Sequence, residues 1–572
     1  MKTTMGRVAS AALLSLLAAC AMPLQPDLAA RAPELAGYGQ LQWAVSTSSA
    51  AAQKLFVQGV LQAYAFNEVE AVRMFKAALA QDPACAMCAW GVAWQLGPNI
   101  NNHSRSQEAE ALRYVSHALR HVASATPREK ALIEAMALRY GHASQARDTA
   151  PLLADRCGPR SGSDDDDDDD DDGPPNPLNA AYADRMRKLV DAAPLDANLL
   201  SLYAEAEMIA TRVDWWNDKT GQPGGRIGEL TALLEQALKT QPEHTGLNHY
   251  LVHAADSAPA ARRAVAAADR LGRLAPASAH LVHMPSHIYV RVGRYADATA
   301  VNEASVAADL ALFDQLKAQD FSVSKDWRGH DQSFLWFAAL MQGRGDVALA
   351  TARDLASRAK GDQVFPEYRR SLPMLALLRM ERWDALLAEP LPSGSKGMAQ
   401  ALGEGARGVA YARTAKLTDA KAALVRAEAG VAAVAKTHTK PKGFDRLLRE
   451  MSGSAAERLR AEIASAEGRH DQALALQAKA MVSAKRADNN EPPMLAAGAR
   501  LALGDLQLRA GKAAEAEKTF REDLLANPGS GWAIAGLARA LLAQGRAADA
   551  APVSAQLKAA WAEADAPLLA RR

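Results

Sequence analysis

The chain has 572 residues, a formal net charge of +1 from 66 basic and 65 acidic side chains, 49% hydrophobic residues and only 5% aromatic ones. That length exceeds one ordinary globular core and requires several domains or an extended repeat array. Balanced charge leaves no electrostatic footprint for nucleic acid or an anionic membrane surface, and a composition led by alanine, leucine and arginine predicts an all-α protein.

In chain order, Lys2 and Arg7 precede an apolar run, Val8 to Ala19, that is too short to span a bilayer and predicts a secretory signal over 1–20. Leu17-Ala18-Ala19-Cys20 resembles the bacterial lipoprotein signal. The resemblance implies that Cys20 becomes the acylated first residue, and Ala21 stands where an aspartate would mark inner-membrane retention. An outer-membrane lipid anchor facing the periplasm is therefore expected, with no transmembrane helix. The bland alternative is an ordinary signal cleaved near Ala19. Residues 21–46 carry Pro, Ala and Gly without helical periodicity and are expected to form a flexible tether. Export places Cys85, Cys88 and Cys157 in an oxidising compartment, leaving a Cys85–Cys88 bridge, a tie to Cys157 or metal-holding thiols open.

Helical repeats begin after the tether. Gly59, Ala71, Phe75, Ala78 and Pro83 fall at offsets where small residues let two antiparallel helices approach; Gly293, Tyr295 and Ala298 follow, then Gly468 and Ala473. Near the end stand Gly504, Gly511, Ala516, Phe520 and Pro528, with Gly545 and Ala550 each 34 residues beyond their counterparts (545 − 511 and 550 − 516). This pattern resembles the tetratricopeptide repeat, which implies stacked helix pairs forming an α-solenoid with a concave face. The expected organisation is an N-terminal array over 47–345 and a C-terminal array over 346–572. Thr126-Pro127-Arg128-Glu129 predicts a helix start with a capping box.

Asp164–Asp172 is an unbroken run of nine aspartates, so residues 158–177 are expected to be a disordered loop; weak cation capture is the functional reading and a solvated insertion the bland one. Trp215 and Trp216 lie in a second irregular connection, read as either core packing or a cover for one end of the concave face.

Six of the thirteen histidines lie between His244 and His287. His249 and His253 are four apart, one turn on a helix, as metal ligands often are. Tyr250 stands where a metalloprotease motif needs glutamate. His283 and His287 repeat the spacing around Pro285, which must start or interrupt a helix. Because the two pairs are 34 residues apart, they are expected to occupy equivalent places in successive repeats and to converge. With His330 they would make a four- or five-histidine site for copper, zinc or iron. Against this stands the bland reading of each histidine as a packed imidazole. Glu205 or Glu207 is the acid/base candidate, and Asn99, Asn101, Glu205, Asn248, Tyr250 and Tyr289 are the candidates to line the groove. Cys85-Ala86-Met87-Cys88 sits at an expected helix start, as a structural disulfide or a redox or soft-metal pair.

The segments Asp82–Gly91, Leu96–Asn101, Asn248–His253, Ala268–Leu271 and His280–Arg291 are similar to a family of bacterial tetratricopeptide-repeat proteins of poorly defined role. The likeness runs from about Ala51 to Arg344. That family carries a further histidine where this chain has Ser333, a departure in the polar constellation.

These features point to a non-enzymatic, lipid-anchored periplasmic scaffold that binds a protein, peptide or envelope ligand in its groove, with no nucleic-acid partner. The rival is a metal-dependent enzyme or metal carrier built on the histidines. No nucleophilic triad, phosphate loop or dinucleotide fingerprint is present.

Overall fold

The computed structural model describes residues 24–101, 107–145, 176–211, 215–217, 219–323, 327–441, 443–495, 498–565 and 568. The signal segment 1–20 with Cys20, the thiol of Cys157 and the aspartate run lie outside the described residues. The chain divides into two compact units, one comprising residues up to 288 and 307–326, the other 289–306 and 327 onward, apart from a short part of the aspartate run. The expected boundary at 345/346 is therefore displaced, and the division passes through a long helix, Tyr295–Ala318, that no breaker interrupts.

Among the described residues the fold is all-α, with one isolated bridge between Trp216 and Pro223. The first unit contains α1 (Ala50–Tyr64), α2 (Glu68–Gln81), α3 (Ala86–Leu96), α4 (Glu108–Arg120), α5 (Pro127–Arg139), α6 (Pro177–Ala192), α7 (Ala197–Thr211), α8 (Ile227–Thr240), α9 (Thr245–Ala254), α10 (Val265–Leu274) and α11 (Ala279–His283). Each packs on its sequence neighbour, the tetratricopeptide arrangement of stacked antiparallel helix pairs. The starts follow local chemistry. Ser49 Oγ accepts from Ala52 N–H at 3.2 Å, and Thr126 and Glu129 complete the expected capping box.

Close packing of a pair depends on glycine. A Cβ on Gly59 or Gly91 would stand 2.7 or 2.5 Å from the Phe75 ring, so only hydrogen fits on either side of that aromatic. Phe56 and Trp43 continue the core, with ring centroids 5.5 Å (Phe56–Phe75) and 5.6 Å (Trp43–Phe56) apart.

The expected tether is corrected from Leu24 onward. Leu24, Leu35, Tyr38 and Trp43 are buried, Ala277 N–H donates to the Gly37 carbonyl at 3.0 Å, and Ser46 Oγ donates to Glu129 at 2.5 Å. Four large apolar side chains at irregular spacing hold this segment as an extended strap on the first unit; lack of helical period removed the helix and left the packing.

The second unit repeats the same construction. Its helices include α12 (Arg328–Gln342) and, near the end, α13 (Gly498–Arg509), α14 (Ala513–Ala526), α15 (Gly531–Ala543) and α16 (Ala547–Ala560). Gly504 and Gly536 flank Phe520 as Gly59 and Gly91 flank Phe75. Gly511 and Gly545, at φ +75°, make the left-handed turns between paired helices.

Candidate functional site

The site grows from α9, all of whose residues are buried. His244 caps it, accepting from Leu247 N–H at 3.2 Å, while its Nε2 lies 3.1 Å from Asn198 Oδ1. Asn248 secures the same start: its amide donates to the carbonyls of Pro242 (2.9 Å) and His244 (3.0 Å), and its oxygen accepts from Arg270 at 3.1 Å. His249 and His253 then project from one edge, with ring centroids 4.7 Å apart.

The next repeat starts at Ser278, whose hydroxyl accepts from Leu281 N–H at 3.2 Å, and its helix lasts only to His283 before the break at Met284 and Pro285. His280, in the first turn of α11, faces α9. Its Nε2 is 3.0 Å from His249 Nε2, and its ring stacks on His253 at 5.7 Å. One ring nitrogen from each of His249, His253 and His280 lies within 4.8 Å of the other two. All three are buried, His249 completely, and burial together with the neighbouring His253 pushes the His249 pKa well below the ordinary imidazole value.

His283 and His287 form a separate chain. Their Nε2 atoms are 3.0 Å apart, His287 Nδ1 is 2.7 Å from Asp256 Oδ2, and Ser286 Oγ is 3.4 Å from His283 Nδ1.

The single five-histidine centre is therefore corrected. His249 with His253, and His283 with His287, come together as pairs, but the pairs fall in two groups and His280 takes the place assigned to His283. Capping residues His244 and Ser278 are 34 apart, so His249 and His283 are indeed equivalent positions. Equivalent positions lie a full repeat apart, and the contact between neighbouring helices is made about one turn earlier on the second. His330 stands on α12 of the second unit, its ring 5.2 Å from Phe334.

Phe66 was not legible as a site residue. It lies in the α1–α2 turn at φ +53°, with its ring 4.6 Å from His249 edge-on and stacked on His280 at 4.8 Å and on His253 at 5.5 Å. Positive φ is a costly conformation for a bulky side chain. Trp216, from the irregular connection, donates its indole N–H to the Ala254 carbonyl at 2.6 Å and so closes the end of α9.

The groove candidates divide. Asn101 is exposed, whereas Asn99 is buried with its amide on Glu68 at 2.6 Å, and Asn248 and Tyr250 lie inside the body because α9 is enclosed on every side. Tyr289 belongs to the second unit, under the Arg294 guanidinium at 4.2 Å. Glu205 accepts from the Trp94 indole at 2.6 Å, and burial pushes its pKa up; Glu207 is ion-paired with Arg226 at 2.5 Å. Cys85 and Cys88 form a buried disulfide at the start of α3.

An open groove of about 810 Å³ lies elsewhere on the first unit, between the strap residues Gln40–Ala44 and the helix starts at Asp196 and His244. Burial pushes the His244 pKa down to about 4.

Neither a protein-family model nor a curated protein sequence matches the chain. Among solved structures, a human IFIT1 dimer with m7Gppp-AAAA aligns over 82% of this chain and 89% of its own at 12% identity and a TM-score of 0.25. The P58(IPK) TPR domain covers 87% and 99% at 13% and 0.21, and yeast Tom70 88% and 91% at 12% and 0.23. The repeat assignment rests on the chain's own glycine, aromatic and turn positions.

Proposed function

We propose that the chain is a repeat scaffold, anchored through an acylated Cys20 at the outer membrane and facing the periplasm, that holds a segment of a protein partner in the groove of its first unit. The observation that carries this reading is the open 810 Å³ groove itself, bounded on one side by Gln40–Ala44 and on the other by the starts of α7 and α9. Its lining sets the polar side chains of Gln40, Gln42 and Glu243 beside Leu41 and Leu195, a mixture suited to holding a peptide without a catalytic constellation. Trp43 and Arg128 give the wall rigidity, the guanidinium sitting 4.9 Å from the indole and paired with Asp196 at 2.6 Å. No helix among the described residues is long and apolar enough to cross a membrane.

Site-specific photo-crosslinkers replacing Gln42 and Glu243 in cells test this reading, with Lys518, largely exposed on the second unit, as the control. The same discrete protein adduct is expected at both groove positions and not at Lys518. Its absence at both contradicts the groove. Cys20→Ser is expected to move the chain from the membrane to the soluble fraction, and retention at the membrane contradicts the anchor.

A further inference from the structure

We propose that His249, His253 and His280 bind a single zinc or copper ion that cross-ties α9 to α11. This inference is independent of the scaffold reading. Three features of the geometry carry it. First, the ring nitrogens already converge: the His249 and His280 Nε2 atoms are 3.0 Å apart and all three donors fall within 4.8 Å. Nitrogen ligands about 2.0–2.1 Å from a tetrahedral zinc ion stand roughly 3.3 Å apart, so small ring rotations complete the set. Second, the donor set selects the metal. Three imidazoles with no carboxylate among them disfavour calcium and magnesium, which require oxygen, and differ from the two-histidine, one-carboxylate set of non-haem iron; imidazole suits zinc and copper.

Third, the chain places an aromatic cover at a left-handed turn. Two residues before the next helix, Phe66 holds the position that Gly293, Gly343, Gly468, Gly511 and Gly545 hold elsewhere, and like them it has positive φ; the other non-glycines at this position among the described residues, Glu381 and Ala415, are not aromatic. A phenylalanine is sterically disfavoured there, and here its ring lies on all three imidazoles. Such a cover excludes water from one side of the centre and limits exchange of a bound ion. With three protein ligands a fourth position remains for water or an exogenous donor. The ion would bind two successive repeats together, which makes metal retention a property of the folded first unit.

The test uses the full mature chain, tag-free, stripped with chelator, incubated with one ion at a time (zinc or copper) and passed through gel filtration in excess magnesium to remove ions held by the aspartate run. One equivalent of zinc or copper is expected to survive. His249→Gln and His280→Gln should each lower affinity at least tenfold with helical circular dichroism retained, Phe66→Gly should speed metal loss severalfold, and His283→Gln should leave this equivalent in place. No bound metal in the wild type, or loss in His283→Gln with retention in His249→Gln and His280→Gln, overturns the assignment. If a histidine variant fails to fold, X-ray absorption of the metal-loaded wild type decides: three imidazole scattering shells support the centre, and an oxygen-only shell overturns it.

Discussion

The helix pairs around Phe75 in the first unit and Phe520 in the second have the same internal spacing, glycine sixteen residues before the aromatic and sixteen after, and differ at one turn. Where the second has Gly511, the first has Phe66. Shared spacing shows what stacking requires: a Cβ on Gly59, Gly91 or Gly504 would stand 2.5–2.7 Å from the ring it faces. The differing turn is not fixed as glycine, since Glu381 and Ala415 hold the same left-handed position in the second unit, but only Phe66 puts an aromatic ring there, and that ring lies against the only group of three imidazoles contained in one unit among the described residues. A local rule broken beside a polar cluster is the pattern expected of a functional site.

The largest effects should come from the shared element. Phe75→Ala and Phe520→Ala are each expected to cost about 3–5 kcal/mol in denaturant unfolding, because both rings are fully buried. A loss below about 1 kcal/mol at either position would end their equivalence.

The units should next separate by pH. His244 is neutral in the folded first unit with its pKa pushed down to about 4, so the unfolded chain takes up the proton first as pH falls below 6.5. Stability from this group is complete above pH 6.5 and is lost towards pH 4, on the order of 3 kcal/mol. Asp523 in the second unit runs the other way. Burial pushes its pKa up to about 6, so its contribution is complete below 3.8 and is lost as pH rises towards 6, again on the order of 3 kcal/mol. Unfolding from pH 4 to 7.5, repeated with His244→Asn and Asp523→Asn, should flatten the opposite slopes one at a time.

Exchanging the turn residues sharpens the comparison. Gly511→Phe should cost about 1–2 kcal/mol, since the left-handed backbone is strained and the space around Gly511 is open, with nothing for the ring to pack on. Phe66→Gly relieves a similar strain but removes a fully buried ring, so a net loss of about 2–3 kcal/mol is expected without metal. An equal loss with and without zinc would make that side chain a simple core residue. Smallest is Thr126→Ala, expected to lower stability by about 1 kcal/mol through the lost capping box of α5.

The repeat architecture was legible because Gly59, Phe75, Gly504 and Phe520 obey sterics acting within one helix pair. Capping at Thr126 and the break at Pro285 were legible for the same reason. The imidazole centre was only half legible. Sequence spacing finds His249 and His253 on one helix edge, but His280 meets them through the offset between neighbouring helices, which a 34-residue register does not contain. Phe66 carries no motif, since its role depends on a turn conformation that residue type disfavours, and Asp256 reaches His287 from a loop. Trp43 and Tyr38 show that a segment without periodicity can still be anchored by a few buried side chains.

The most direct test of the imidazole centre is hydrogen exchange on the full chain with and without one equivalent of zinc. The predicted result is slower exchange across Thr245–Ala254 and Ala279–His283 with no change across Gly498–Ala560. Unchanged exchange in α9 and α11, or equal slowing in both units, would contradict a metal centre built on His249, His253 and His280.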